Sequence, residues 1–191
     1  LGMISGCLAY QMDINEYFEF QHPYQQLVRN SLEYFMESKI NKKCVGTDGC
    51  NLPQYAFNLD KLATSMVNLI KTKNSKKKYS DSINTVLCAI NNFPFLIGGK
   101  NTFDSNVINI TKGRIFLKRG AEGVLLFADF SKKLGGVIKV KDGSSRAIPS
   151  IVMKIFSKLN LITNKEKKIL SQWSKQIIYN HAKKNVGKII T

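Results

Sequence analysis

The chain has 191 residues, of which 43% are hydrophobic and 22% charged, enough for a buried core in one domain or part of a larger one. No apolar run reaches the roughly 18 residues of a membrane helix, and the four cysteines form neither a CxxC pair nor a disulfide framework. The net charge of +16 raises nucleic acid or an anionic membrane as partners, yet 25 of the 29 basic residues are lysine and four arginine, whereas base recognition favours arginine forks.

The segment Leu1 to Cys7 lacks the basic flank of a signal peptide, and the start at leucine leads us to expect residues before it. His22-Pro23 opens a helical pattern through Ser38, with Leu27, Val28, Leu32, Phe35 and Met36 at helical spacing. Cys44 to Pro53 reads as a loop. Leu59 to Lys71 reads as a second helix, and Lys71 to Lys78 as a solvated connection. A third helix is expected from Asp81 to Asn91, stopping before Pro94. A short helix from Asp104 to Ile110 follows the Gly98-Gly99 turn.

The period then changes. Arg114 to Lys118, Val124 to Asp129 and Gly136 to Val140 are rich in β-branched residues and joined by glycine-bearing turns, which predicts an antiparallel three-strand meander. Helices are expected from Pro149 to Leu159 and, around Trp173, from Lys165 to Ile178. Val186 to Ile190 could add an edge strand. The fold class is α+β, an antiparallel sheet packed with helices in a single domain over 1–191.

The run Lys118-Arg119-Gly120-Ala121-Glu122-Gly123 ends a strand with a lysine followed by glycines, which lets the backbone approach a ligand closely. Lys118 is the candidate catalytic residue, and a solvated strand-end lysine is the plain alternative. Its Lys-x-Gly pattern resembles the Lys-Thr-Gly of serine β-lactamases and penicillin-binding proteins. Asp48 and Cys50 stand two apart in a loop and could present a carboxylate and a thiol to one cleft; a turn aspartate and a buried cysteine are the alternative. Arg146 could bind a carboxylate bidentately or pair with Asp142 or Glu122. His22 reads as a helix-start residue and Trp173 as core.

In order, Gly2-Met3-Ile4, His22-Pro23-Tyr24-Gln25-Gln26, Asp48-Gly49-Cys50-Asn51-Leu52-Pro53, Lys118 to Gly123, Asp142-Gly143-Ser144-Ser145-Arg146-Ala147 and the ending Asn180 to Ile189 resemble the asparaginase II family. These are amidohydrolases whose fold is similar to serine β-lactamases. The resemblance implies hydrolysis of asparagine to aspartate and ammonia through an acyl-enzyme. Lys118 would assist proton transfer or hold the substrate carboxylate, and Asp48, Cys50 and Arg146 would bind substrate, with Asp48, Cys50 and Lys118 facing one cleft.

The departures are specific. The family's Ser-x-x-Lys nucleophile and its Cys-Ser-Gly-Lys segment, part of a zinc site, lie before the point matched by Leu1. Asp104 stands where the family has its remaining zinc cysteine, Asn51 where it has the glycine after Asp-Gly-Cys, and Arg119 where it has the glycine after the lysine. The expectation is therefore the C-terminal part of an asparaginase II-type enzyme, with no cofactor in this chain and an incomplete zinc site. Asparagine or a related amide is the implied substrate, and a homodimer or a separate N-terminal chain a possible partner. A non-catalytic nucleic-acid-binding protein and an inactive remnant are the alternatives. Reduced cysteines suit a cytoplasmic protein. Lysines spread along the chain, with 17 asparagines and 20 isoleucines, match the output of an AT-rich gene, so neither nucleic acid nor membrane is expected as partner.

Overall fold

A computed structural model describes residues 1–190. The chain divides into two compact units, residues 1–65 and 66–191.

The first unit opens with helix α1 (Gly2–Ala9) and helix α2 (Pro23–Met36). His22 caps α2 as the sequence predicts: its Nδ1 accepts from the Tyr24 N–H at 3.1 Å, and Nε2 lies 3.0 Å from the Asp13 carbonyl. Pro23 occupies the first turn, where a missing N–H costs nothing. Gln25 is 1% exposed and donates to the Tyr17 carbonyl at 2.9 Å. Arg29 lies over the Phe20 ring, 3.9 Å from its centre, and hydrogen-bonds the Phe20 carbonyl and Gln26. The expected loop from Cys44 to Pro53 is instead a small hairpin. Strand β1 (Val45–Thr47) pairs antiparallel with β2 (Pro53–Tyr55), and only residues 48–52 form its loop. Helix α3 (Leu59–Thr72) begins in this unit and ends in the next.

The second unit continues with helices α4 (Ser80–Asn92), α5 (Phe95–Gly98) and α6 (Phe103–Ile110). Strands β3 (Ile115–Gly120), β4 (Val124–Asp129) and β5 (Leu134–Lys139) then form the expected antiparallel meander in the order β3-β4-β5. Ile115, Leu117, Leu125 and Phe127 share one buried face, as a period of two requires. Helix α7 (Ile148–Lys158) contributes Ile148, Val152, Met153 and Phe156 to the same core, and α6 contributes Phe103 and Val107. Phe127 meets Phe156 edge-on at 5.1 Å between ring centres. The fold is α+β, as its alternating patterns predict.

The expected helix from Lys165 to Ile178 is a correction. Helix α8 spans only Asn164–Ile169, opened by a capping box in which Thr163 and Glu166 exchange side-chain-to-backbone bonds. Leu170 is fully buried, a single 3-10 turn follows at Ser171–Trp173, and Trp173 packs edge-on against Phe103 at 5.5 Å. The β-branched Ile177-Ile178 pair then forms strand β6 (Ile177–Tyr179), which pairs with β7 (Asn185–Lys188). The tail is thus a strand, but in a separate two-stranded sheet.

Candidate active site

Lys118 lies near the end of β3 on an exposed stretch, and its Nζ donates to the carbonyl of Arg119 at 2.8 Å. Strand β3 then turns back into β4 through Ala121, Glu122 and Gly123. This three-residue turn is pressed against the loop at Asp142–Arg146. A Cβ on Gly123 would stand 3.0 Å from the carbonyl carbon and oxygen of Gly143, and one on Gly143 would stand 2.6 Å from Glu122 Oε2. Both glycines have left-handed φ, +66° and +77°, so neither backbone suits another residue. The Val140 N–H donates to the Gly123 carbonyl at 2.8 Å, and Lys139 Nζ bridges the Glu122 and Val140 carbonyls at 2.7 Å each. Two sequence motifs some twenty residues apart therefore share one end of the sheet.

Arg146 sits in the short 3-10 turn Ser145–Ala147 and is exposed. Among the described residues it pairs with neither Asp142 nor Glu122. The Asp142 carboxylate is occupied by the Ser144 N–H at 2.9 Å. The guanidinium is left open to a ligand anion.

In the first unit, Asp48 holds its own loop. Its Oδ1 accepts from the N–H groups of Cys50 at 2.8 Å and Leu52 at 3.0 Å, the ordinary use of an aspartate in a turn. Among the described residues its Oδ2 has only Gln54, 3.5 Å away, and keeps acceptor capacity. Cys50 is exposed with a free thiol, not a buried one. Beside this loop lies a cleft of about 180 Å³ lined by Phe18, Phe20, Val45, Thr47, Asn51 and Pro53, among others; neither Asp48 nor Cys50 lines it. Sequence reasoning did not find this cleft, because nothing in the spacing joins Phe18 and Phe20 to the hairpin.

The family model of L-asparaginase II matches residues 1–191, the whole chain. This chain belongs to the L-asparaginase II family. No curated protein matches it. Family membership makes it, in general terms, an asparaginase-like amidohydrolase.

The three departures from the L-asparaginase II pattern have structural explanations. Asn51 has φ +63°, the left-handed conformation that asparagine tolerates better than most non-glycine residues. The other two departures touch each other. Asp104, 1% exposed on α6, takes the Arg119 N–H on Oδ2 at 3.0 Å, and its Oδ1 lies 2.6 Å from Arg119 Nε. That second contact is one of charge: the Nε–H does not point along it, so it makes no hydrogen bond. Arg119 and Asp104, which the resemblance singled out as separate departures, are two halves of one ion pair in which Asp104 is buried and Arg119 half-buried. Both carboxylate oxygens face Arg119, and among the described residues no group of three or more His, Cys, Asp or Glu side chains could hold a metal ion. The residues around Asp104 therefore do not fit the zinc that the resemblance implied. Among the described residues no helix is long and apolar enough to cross a membrane.

Proposed function

We propose that the chain carries the substrate-binding and proton-handling part of an L-asparaginase II-type amidohydrolase acting on asparagine. The observation that carries the reading is the packing of the Lys118–Gly123 turn on the Asp142–Arg146 loop, in a chain matched by the family over its whole length. In this reading the Arg146 guanidinium, without an ion pair among the described residues, takes the substrate α-carboxylate as a bidentate fork. Lys118 exchanges its bond to the Arg119 carbonyl for the substrate and moves a proton during acyl transfer. Asp48 and Cys50 are proposed as substrate contacts of the first unit. The fold is read as β-lactamase-like and the protein as cytoplasmic.

The chain's own serines supply no activated nucleophile in this reading. Only Ser75 stands three residues before a lysine, in Ser75-Lys76-Lys77-Lys78. Its hydroxyl donates to the Thr72 carbonyl at 2.7 Å and accepts from the Lys77 N–H at 3.2 Å, both in the turn after α3. Binding and turnover are therefore expected to separate. Titrating isotope-labelled protein with asparagine should shift the backbone amide resonances of both Lys118–Gly123 and Asp142–Arg146. Shifts absent from both segments at millimolar asparagine would refute the site.

A further inference from the structure

We propose that the lysine-rich end of the three-stranded sheet binds the phosphate backbone of nucleic acid without reading its sequence. This revises the expectation of no nucleic-acid partner: lysines recur along the sequence, but the net positive charge lies in one unit. Residues 1–65 hold seven acidic and five basic residues, whereas residues 66–191 hold six acidic and 24 basic ones. Among the described residues no lysine of the second unit has a carboxylate within 4.0 Å; its ion pairs are all made by Arg114 and Arg119.

One contact joins two lysine-bearing turns. Lys73 Nζ stands over the Phe130 ring, 4.2 Å from its centre. This contact brings the end of α3 and the run Lys76-Lys77-Lys78 onto the β4–β5 turn, which carries Lys132 and Lys133. All but Lys73 are exposed. The nearby carboxylates are already committed. Asp129, 0% exposed, pairs with Arg114 at 3.0 Å and caps the turn through Ser131 and Lys132. Glu166 pairs with the same guanidinium at 2.9 Å. Asp81, at the start of α4, is the one acidic residue between residues 66 and 103. The patch lies at the sheet end that carries Asp129 and Leu134, opposite the end at Gly120 and Lys139.

The chemistry selects the partner. Protein interfaces are depleted in lysine and need an apolar centre, and this patch has neither property. Insertion into a membrane interface needs free aromatic rings, but Phe130 lies under Lys73 and Tyr79 under Lys78. Point-charge ammonium groups on flexible stems suffice for non-specific phosphate binding driven by counterion release. Two of the unit's three arginines are tied up in ion pairs and the third, Arg146, belongs to the loop at the opposite end of the sheet, so the patch itself holds no arginine fork for base reading.

The test uses the full chain and labelled 20-base-pair DNA duplexes of two unrelated sequences, with affinity read by fluorescence anisotropy across a salt series. Six lysines on phosphates should give a log–log salt slope near about −5, equal for both sequences. Changing Lys76, Lys77, Lys132 and Lys133 together to glutamine should lower that slope by about 3–4 and weaken binding at about 100 mM salt at least tenfold. The control changes Lys141, Lys175, Lys183 and Lys184 to glutamine, which removes the same charge elsewhere, and should move the slope by less than about one. Equal losses in both variants would mean net charge alone binds DNA and would overturn the patch. Absence of binding near physiological salt, or tighter binding to phosphatidylserine vesicles than to DNA, would overturn the partner.

Discussion

Residues 1–65 and 66–191 reach a folded state by different means. Among the described residues the first unit buries two apolar side chains, Cys7 and Met36, while the second buries eighteen. The first unit instead buries Gln25 and Arg29, whose hydrogen bonds close the Tyr17–Phe20 segment onto α2. Polar locks of this kind each contribute about 1 kcal/mol net, but leave an unpaired buried group when broken. The second unit rests on area removed from water, which tolerates the loss of single hydrogen bonds and not the loss of a large side chain. The charge divides the same way: the core-rich unit carries the excess lysine. A well-packed core can hold a surface that repels itself, and a sparsely packed unit gains from near neutrality.

The largest expected effect lies in the second unit's core. Phe156→Ala should cost about 3–5 kcal/mol in urea denaturation, because Phe156 is fully buried against Phe127. Met36→Ala in the first unit should cost less, about 2 kcal/mol, and a larger loss there would break the contrast. Next comes Arg114→Met. It strands Asp129 without its cation and frees Glu166 and the Leu161 carbonyl, for a loss of about 3 kcal/mol by the same measurement. A loss below about 1 kcal/mol would mean that Asp129 is satisfied by the Ser131 and Lys132 amides alone.

The first unit should respond to its caps. His22→Ala removes the acceptor for the Tyr24 N–H and the contact with Asp13, and should cost about 1 kcal/mol. Hydrogen exchange should show the loss confined to α2. The smallest effect is one of pH. Burial pushes the Glu166 carboxyl up, but the Thr163 N–H and the Arg114 guanidinium outweigh it and hold the group below its ordinary value of 4.5. Its contribution is complete above that value and is lost as pH falls through the lower folded value. Glu166→Gln should flatten the stability profile below pH 4.5 and leave the slope nearer neutrality unchanged.

The meander was legible because its strands carry β-branched residues on a period of two, bounded by glycine turns. Helix α2 was legible from His22-Pro23 and its apolar spacing. Several short elements were not: α1, α5 and the β1–β2 hairpin carry no clear apolar period, although α6, as short as α1, was legible after its glycine turn. The helix expected through Trp173 failed for another reason. Leu170, Trp173, Ile177 and Ile178 suit a helical stripe, yet pairing with β7 and docking of Leu170 and Trp173 on the core decide the matter. At the candidate site, Lys118, Arg146 and the glycine-bearing motifs could be picked out one at a time. What sequence did not reveal was which of them touch. Asp104 and Arg119 looked like two unrelated departures and form one ion pair, and the open Arg146 looked like a candidate partner for Asp142.

The proposed function has this chain bind an amide substrate without supplying the nucleophile that cleaves it. Ammonia release by the purified 1–191 protein at millimolar asparagine tests it most directly. The expected result is no release above the protein-free background. Turnover near about 1 per second, in the range of ordinary enzymes and abolished by Lys118→Ala, would contradict it and place the nucleophile among these residues.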